Sequence, residues 1–302
     1  MDKPAYTPAP AGDFVLPFDV VGAGIRGRLV RLDAASARAL SVHGLAEPAA
    51  RVAGEMLALA ALLGTALKLD GRLSAQTKSN GPLDLIAADY YGAGDGKPKG
   101  VRTFARLDKD GFAVFPGEPS FAALAGEGSL AITIEPKRGG QTYQGIVELS
   151  PDGIAASAET YFEQSEQLPT LIRLAAAPVY NAGAKEPAWR AGGLMLQITP
   201  GARRQADDWD RLSALAATVE DLELLDTALS AETLLWRLFN QEEVRVFKAE
   251  PIAFRCDCDR GRIAAVLRSY SAAERAGLAD PDGTIRARCE FCGTVHEIAQ
   301  GE

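Results

Sequence analysis

Cysteine is absent from the first 255 residues of this 302-residue chain, and all four cysteines lie in the last 47. The polar, proline-rich start MDKPAYTPAP lacks the basic segment and the apolar segment of a secretory signal, so we expect a cytoplasmic protein. In a reducing compartment, closely spaced cysteines are typical of metal ligands or redox thiols rather than of a disulfide framework.

Long apolar runs and an excess of basic residues are also lacking. The most apolar stretch, 56–67, is shorter than the roughly 20 residues of a bilayer span, so we predict a buried helix and no membrane partner. Acidic residues outnumber basic ones by 40 to 32, which argues against a nucleic-acid partner. Because His43 and His296 are the two histidines, a Ser/His or Cys/His dyad has few ways to form, and we predict no enzymatic activity.

The first two hundred residues combine strand-like and helix-like segments without a regular order. Residues 49–68 are rich in Ala and Leu and follow a Glu-Pro pair that suits a helix start, and 154–164 also predict a helix. Short apolar runs between turn residues predict strands at 14–20, 25–32, 72–78, 83–88, 101–105, 130–134, 143–149 and 194–199. The RGG at 138–140 suits a hairpin turn between the sixth and seventh of these runs. This order predicts an α+β fold rather than βαβ alternation.

The segment 203–250 differs from the rest because it contains neither proline nor glycine. Apolar residues recur in it at helical spacing, first from Trp209 to Leu222 and again from Leu234 to Phe239. We predict two or more amphipathic helices, which gain most of their stability by packing on a neighbour. An ordinary helical subdomain would show the same periodicity. The chain therefore divides into a mixed N-terminal domain (1–200), a helical linker (201–250) and a small C-terminal domain (251–302).

The cysteines form two close pairs, Cys256-x-Cys258 and Cys289-x-x-Cys292. In the second pair, a tight turn followed by Gly293 can direct both sulfurs at one ion, and in the first, one intervening residue places both sulfurs on the same side of an extended chain. Four thiolates with no open position describe a structural zinc site. An iron–sulfur cluster or two disulfides are the alternatives. His296 is a further candidate ligand, although we expect it to be a surface residue of the terminal strand.

Metal binding and redox sensitivity are linked in such a site. A unit of about 50 residues buries too little apolar surface to be stable alone, and structural zinc supplies roughly 10–16 kcal/mol of folding free energy in small peptides. Oxidants attack thiolates, so oxidation would remove the metal and unfold the small domain. The sequence thus predicts a redox switch that withdraws support from the preceding helices.

Two other functions share some of these features. Gly22-x-Gly24-x-x-Gly27 matches the letters of a dinucleotide fingerprint and would indicate an oxidoreductase, but a strand-like run follows it and Asp33 comes too soon for the ribose-binding acid. The glycines better suit turns. A zinc-ribbon nucleic-acid binder would use the basic residues of the C-terminal domain, which are Arg255, Arg260, Arg262, Arg268, Arg275, Arg286 and Arg288.

Several longer segments, in this order, resemble the heat shock protein 33 family of redox-regulated bacterial chaperones. They are GSLAITI and YQGIVEL within 128–149, YFEQSEQLPT (161–170), GGLMLQITPG (192–201), LLWRLFNQEEVRVF (234–247) and the two cysteine pairs. The resemblance covers most of the chain.

The resemblance implies a substrate-binding and dimerisation domain, a metastable linker and a zinc-binding redox-switch domain. It implies that Cys256, Cys258, Cys289 and Cys292 bind zinc in an inactive, reduced monomer. Oxidation would form the disulfides Cys256–Cys258 and Cys289–Cys292, release zinc and unfold the linker. The oxidised homodimer would hold unfolding client proteins without ATP.

Overall fold

The computed structural model describes residues 12–94, 96–112, 117–137, 139–180, 183, 187–202 and 207–301. The start of the chain, Arg138 of the predicted hairpin turn and the first linker residues, 203–206, lie outside the described residues. The strands are β1 (Phe14–Val20), β2 (Ile25–Leu32), β3 (Arg72–Ser79), β4 (Leu85–Tyr91), β5 (Gly100–Arg106), β6 (Gly128–Glu135), β7 (Tyr143–Glu148), β8 (Thr170–Val179), β9 (Ala188–Ile198), β10 (Val244–Val246), β11 (Glu250–Pro251), β12 (Ala253–Phe254), β13 (Thr284–Arg288) and β14 (Val295–Ala299).

The helices are α1 (Ala34–Leu40), α2 (Glu47–Ala66), α3 (Lys109–Phe112), α4 (Phe121–Ala125), α5 (Ile154–Tyr161), α6 (Asp208–Ala217), α7 (Asp221–Leu225), α8 (Ala231–Leu238), α9 (Arg260–Arg268) and α10 (Ala272–Leu278). A π-helix, Phe162–Glu166, continues α5. The predicted α+β fold is confirmed.

Two sheets, in which the spatial order of the strands differs from their order in the sequence, enclose the long helix α2. In the first sheet the strand order is β10-β1-β2-β9-β8, and β11 also pairs with β1. In the second sheet the order is β12-β5-β4-β3-β6-β7. Apolar side chains of both sheets meet α2 in one core, so α2 is buried around most of its circumference. Gly64 leaves space for the ring of Tyr90, because a Cβ there would lie 2.1 Å from ring atoms.

The length and hydropathy of α2 would also satisfy a membrane span, but 83% of its most apolar window is buried inside the fold. It is therefore the core helix of this structure. The buried helix predicted around 56–67 is confirmed. It begins at Glu47 and ends at Ala66, so it is longer than that apolar stretch.

The first sheet is apolar on both faces, and the linker helices cover the face that points away from α2. Alternate residues of β1 are divided between the two cores: Val15 faces α2, whereas Phe14, Leu16 and Phe18 face the linker. The linker contributes α6, α7 and α8 and then adds β10 to the edge of the sheet beside β1. The prediction of amphipathic helices holds for 208–238, and the strand that follows them was not predicted.

The C-terminal segment 251–301, which we call the module, contains α9, α10 and the hairpin β13–β14. Its buried core has four apolar residues, Ala264, Leu267, Ile285 and Ile298. Its first residue, Pro251, belongs to β11 on the first sheet, and β12 then pairs in parallel with β5 at the edge of the second sheet. The module is thus joined directly to the folded part of residues 12–202, which we call the body.

Several sequence predictions need correction in the body. Strand β8 and helix α1 were not predicted, and β9 begins at Ala188 rather than near Leu194. The helix expected at 154–164 divides into α5 and the π-helix, which ends at Gln167 in the left-handed region (φ 54°). Here Tyr161 lies 3.1 Å from Glu166, and the turn leads the chain into β8.

The glycine motif that matches a dinucleotide fingerprint lies in a β-hairpin. Gly22 and Gly24 have positive φ in the turn between β1 and β2, and a strand follows them where the fingerprint requires a helix. In β2, Gly27 lies opposite Phe18, and a Cβ there would collide with the Phe18 ring at 2.1 Å. The predicted role in a turn is confirmed for Gly22 and Gly24, whereas Gly27 lies within a strand and makes room for the Phe18 ring.

Candidate metal centre

The four cysteines converge at one point. The four Sγ atoms all lie within 4.8 Å of one another. Two of these distances join the C-x-C pair to the C-x-x-C pair: Cys256 to Cys289 is 3.7 Å and Cys258 to Cys292 is 3.5 Å. Tetrahedral zinc with Zn–S bonds of about 2.3 Å places its sulfurs about 3.8 Å apart. The observed spacing and the all-sulfur donor set therefore fit a structural zinc ion.

Local backbone structure places each pair. Cys256 and Cys258 lie between β12 and α9, where Asp259 caps α9 by accepting a hydrogen bond from the Arg262 N–H at 2.9 Å. Cys289 and Cys292 lie in the turn of the β13–β14 hairpin. The Gly293 N–H donates to the Cys289 carbonyl at 2.8 Å, and Gly293 takes φ 72°, which a side chain would disfavour. The glycine predicted to complete this turn does so.

The thiols differ in their electrostatic surroundings. Burial raises the pKa of Cys258 and of Cys289, although backbone N–H groups oppose the rise at Cys289. Burial also raises the pKa of Cys292, but hydrogen bonds from Thr294 and from neighbouring cysteines outweigh it and lower that pKa to about 6. Cys292 therefore ionises more readily than Cys258 and Cys289, whose charged forms a nearby cation would favour.

The two histidines occupy different places. His296 lies on β14 as predicted, but it is half-buried, and its Nε2 is 3.4 Å from the Cys258 sulfur. His43 lies on the body, 3.3 Å from the Thr103 carbonyl and edge-on to Phe104. Burial lowers the pKa of His43. The structure therefore places His296 against the cysteine cluster and His43 against β5 of the body.

The cysteine cluster lies at the junction between the module and the body. Arg38 of the body donates to the Cys292 carbonyl at 3.0 Å, and Arg288 of the module donates to the Val42 carbonyl at 2.7 Å. Lys97 and Asp257 form an ion pair at 2.6 Å. These partners are separated by 160 residues or more, so no local sequence signal could have identified them.

Arg102 of β5 is a body residue that contacts a sulfur of the cluster directly. Its Nη1 lies 3.3 Å from the Cys256 sulfur, and its guanidinium stacks 3.8 Å above the centre of the Phe291 ring. Sequence reasoning missed this residue because an arginine in a strand carries no signal of its partner.

Part of the arginine-rich surface of the module is occupied by acids of the same module. Arg286 contacts Asp280, Asp282 and Glu297, and Arg255 contacts Asp257 at 2.8 Å. These acids balance part of the positive charge that a phosphate-binding surface would need.

The linker is held on the sheet by a buried arginine as well as by apolar packing. Arg31 of β2 donates from Nη1 to the Leu229 carbonyl and from Nη2 to the Glu223 carbonyl at 3.0 Å, and it is 7% exposed. Burial lowers the Arg31 pKa. A charged group is therefore removed from water only while the linker carbonyls are there to accept its hydrogen bonds.

Comparison with known proteins gives a consistent result. The sequence profile of a family described as Hsp33 protein matches residues 13–299. The chain is 38% identical over 292 residues to a 33 kDa chaperonin of Caulobacter vibrioides (strain NA1000 / CB15N), covering 95% of this chain and 94% of that protein. It is 36% identical to a 33 kDa chaperonin of Vibrio cholerae, covering 91% of this chain and 88% of that one.

Among solved structures, the fold matches a 33 kDa chaperonin (heat shock protein 33 homolog) of Thermotoga maritima with a TM-score of 0.74. The match covers 96% of each chain at 20% identity, so it supports the fold.

Proposed function

The chain belongs to the heat shock protein 33 family and is a redox-regulated chaperone, and from this premise we propose how its cysteine cluster controls client binding. The family is a chaperone family rather than an enzyme class. In our proposal the reduced chain is an inactive monomer in the cytoplasm. The oxidised chain is a homodimeric holdase that binds unfolded proteins without ATP and without a nucleic-acid or membrane partner.

The proposed division of labour follows the three segments 1–200, 201–250 and 251–302. The body would bind clients and form the dimer, the linker would cover the binding surface, and the module would sense oxidants. The observation that carries the proposal is the position of α6, α7 and α8 on an apolar sheet face. Phe14, Leu16 and Phe18 of that face are at most 4% exposed under the linker. Uncovered, this face would form a broad apolar surface able to hold unfolded chains.

In the reduced state, Cys256, Cys258, Cys289 and Cys292 would hold one zinc ion. Zinc, when bound, supplies bonds that join two chain segments and so contributes folding free energy to the module. The four thiolates close the first coordination sphere, which suits a structural rather than a catalytic site. His296 would remain outside that sphere, beside Cys258.

Oxidation would pair the thiols within each motif, as Cys256–Cys258 and Cys289–Cys292. Each disulfide forms as two thiolates lose two electrons to one hydrogen peroxide, which takes up two protons from water and gives two waters, and the zinc ion is released. The sulfurs would then no longer converge on a cation. A core of four buried apolar residues would not keep the module folded, and the linker would lose the neighbour that follows it in the chain.

The proposal is tested by oxidising the zinc-loaded, full-length chain with hydrogen peroxide at elevated temperature. Zinc release is followed with a chromogenic chelator, free thiols are counted, and the same samples are assayed for suppression of aggregation of a chemically unfolded client. We expect thiols to fall from four to none while zinc appears and aggregation is suppressed. Zinc that stays bound, or that leaves without a gain in holdase activity, would show that the cysteines only stabilise the structure.

A further inference from the structure

We infer that Arg102 is a positioning residue that couples the charge on the cysteine cluster to the docking of the module on the body. The inference rests on the proposed zinc site. The three nitrogens of the guanidinium are divided between the two parts of the molecule. Nε and Nη2 bind Asp89 of the body at 2.7 and 2.6 Å, and Nη1 reaches the Cys256 sulfur at 3.3 Å.

Asp89 fixes the direction in which Arg102 points. The Asp89 side chain is fully buried in β4 and also accepts a hydrogen bond from Arg72 at 3.0 Å. Charge-assisted hydrogen bonds of this kind are short and directional. Because Asp89 occupies one side of the planar fork, the remaining Nη1 is directed away from the body and towards the module.

Arg102 also contacts the other half of the cluster. Phe291, which lies between Cys289 and Cys292 in the sequence, places its ring 3.8 Å from the Arg102 guanidinium carbon. A cation over an aromatic face is attracted to it, most strongly when both are shielded from water. Arg102 therefore touches the C-x-C segment through a sulfur and the C-x-x-C segment through a ring, and it can satisfy both contacts only while the two segments stay together.

This contact depends on the redox state of sulfur, unlike other contacts at the junction. Arg38 and Arg288 donate to backbone carbonyls, whose charge is unaffected by cysteine oxidation. A thiolate attracts the Arg102 guanidinium, whereas a disulfide sulfur is neutral and a weak acceptor. When two thiolates, one hydrogen peroxide and two protons give a disulfide and two waters, Arg102 loses its charged acceptor, and the two segments are free to separate.

Arg102 should in turn protect the cluster before oxidation. Groups that hydrogen-bond to metal ligands orient them, and removing such a group typically lowers metal affinity about 10- to 100-fold. We therefore expect loss of the Arg102 contact to loosen the module in the reduced protein and to speed zinc loss under peroxide.

The test compares four full-length, reduced, zinc-loaded proteins: wild type, Arg102→Gln, Arg102→Lys and the control Arg106→Gln. Arg106 lies on the same strand, four residues further on, and forms a solvent-exposed ion pair with Asp84, which directly precedes β4. Zinc release is timed at one peroxide concentration, and hydrogen exchange of residues 289–293 is measured without oxidant. We expect Arg102→Gln to release zinc about tenfold faster, with weaker exchange protection. Arg102→Lys should also be faster, because it lacks the fork, and Arg106→Gln should match wild type.

Equal release rates and equal exchange protection in wild type and Arg102→Gln would overturn the inference and leave the zinc site intact. If wild type binds no zinc, the proposed function fails, and hydrogen exchange still decides the docking role of Arg102. If Arg102→Gln does not fold because Asp89 loses its partner, Phe291→Leu provides the test. It removes the ring while keeping the Arg102–Asp89 pair, and the inference requires faster zinc release from it than from Arg106→Gln.

Discussion

The core under the linker and the core of the module differ in what holds them together. Among the residues that the structure describes, the linker core buries 20 apolar residues, from the sheet, from α6, α7 and α8 and from the segments that join them. The module core buries four. Apolar burial is the main favourable term in folding, so the linker can be held by its own packing, whereas the module depends on its sulfurs. The part of the chain with the least packing of its own is also the part that carries the chemistry.

The module and the linker also differ in how they are attached to the body. The module is anchored around β12, where Ile252 and Phe254 pack on the core of the body, and beyond β12 it is docked through ion pairs, hydrogen bonds and a ring contact. The linker lies flat on an apolar sheet and exposes residues such as Trp236 and Leu222 on its outer side. Loss of the module would therefore be abrupt, whereas loss of the linker would depend on how much apolar packing remains. The proposed switch uses this order: the small unit unfolds first and the larger cover follows.

The largest expected effect comes from removing one sulfur of the cluster. We expect Cys289→Ser to lose stoichiometric zinc and to unfold the module, because three sulfurs do not close a tetrahedral structural site. Metal content and hydrogen exchange of β13 and β14 measure the two effects. The control is His296→Ala, which alters a neighbour of Cys258 but should keep one zinc per chain.

Retention of one tightly bound zinc by Cys289→Ser would contradict the view that the module depends on all four sulfurs. Loss of zinc from His296→Ala as well would instead show that the imidazole belongs to the first coordination sphere.

A smaller effect is expected from weakening the linker while leaving the cluster intact. Leu234 of α8 is fully buried against the sheet, and Leu234→Ala should destabilise the linker core by about 2–5 kcal/mol through lost burial and a cavity. We expect this reduced, zinc-loaded variant to suppress client aggregation without peroxide. Leu222→Ala is the matched control, because Leu222 is 75% exposed. If the reduced Leu234→Ala protein is destabilised but inactive, the surface under the linker does not bind clients.

The sequence predicted the cysteine site better than the architecture around it. Both pairs and the turn glycine Gly293 are local features, so their spacing predicts that the four sulfurs meet, as they do in the structure. The position of the cluster on the body depends on Arg38 and Arg102, which are far away in the sequence and have no distinguishing pattern.

Strands were missed for a different physical reason. β8 has the sequence TLIRLAAAPV, in which alanines and Pro178 have low strand propensity. It lies at the edge of its sheet, where proline is tolerated and pairing with β9 decides the conformation. β10 is three residues long and forms only because β1 presents an open edge to it. In both cases tertiary pairing overrides local preference, whereas α2 was predictable because its composition and its surroundings agree.

The smallest expected effect concerns a carboxyl group of the body that faces the linker. The pKa of Glu55 on α2 is raised to about 7, mainly by burial and also by the negative charge of Asp221 on α7, while Arg51 opposes the rise. Because this pKa is higher in the folded than in the unfolded chain, its contribution to stability is complete below about pH 4.5 and is lost as the pH rises through about 7.

We therefore expect Glu55→Gln to remove a pH dependence of about 1–3 kcal/mol between pH 5 and pH 8. Urea unfolding of the reduced, zinc-loaded chain at the two pH values measures it, and Glu163→Gln, at an exposed position of the π-helix, serves as the control. At pH 8 the Glu55→Gln protein should be more stable than wild type, since it removes a partly buried charge that Asp221 repels. An identical pH dependence in wild type and Glu55→Gln would mean that Glu55 reaches water and that apolar packing and Arg31 alone hold the linker against the sheet.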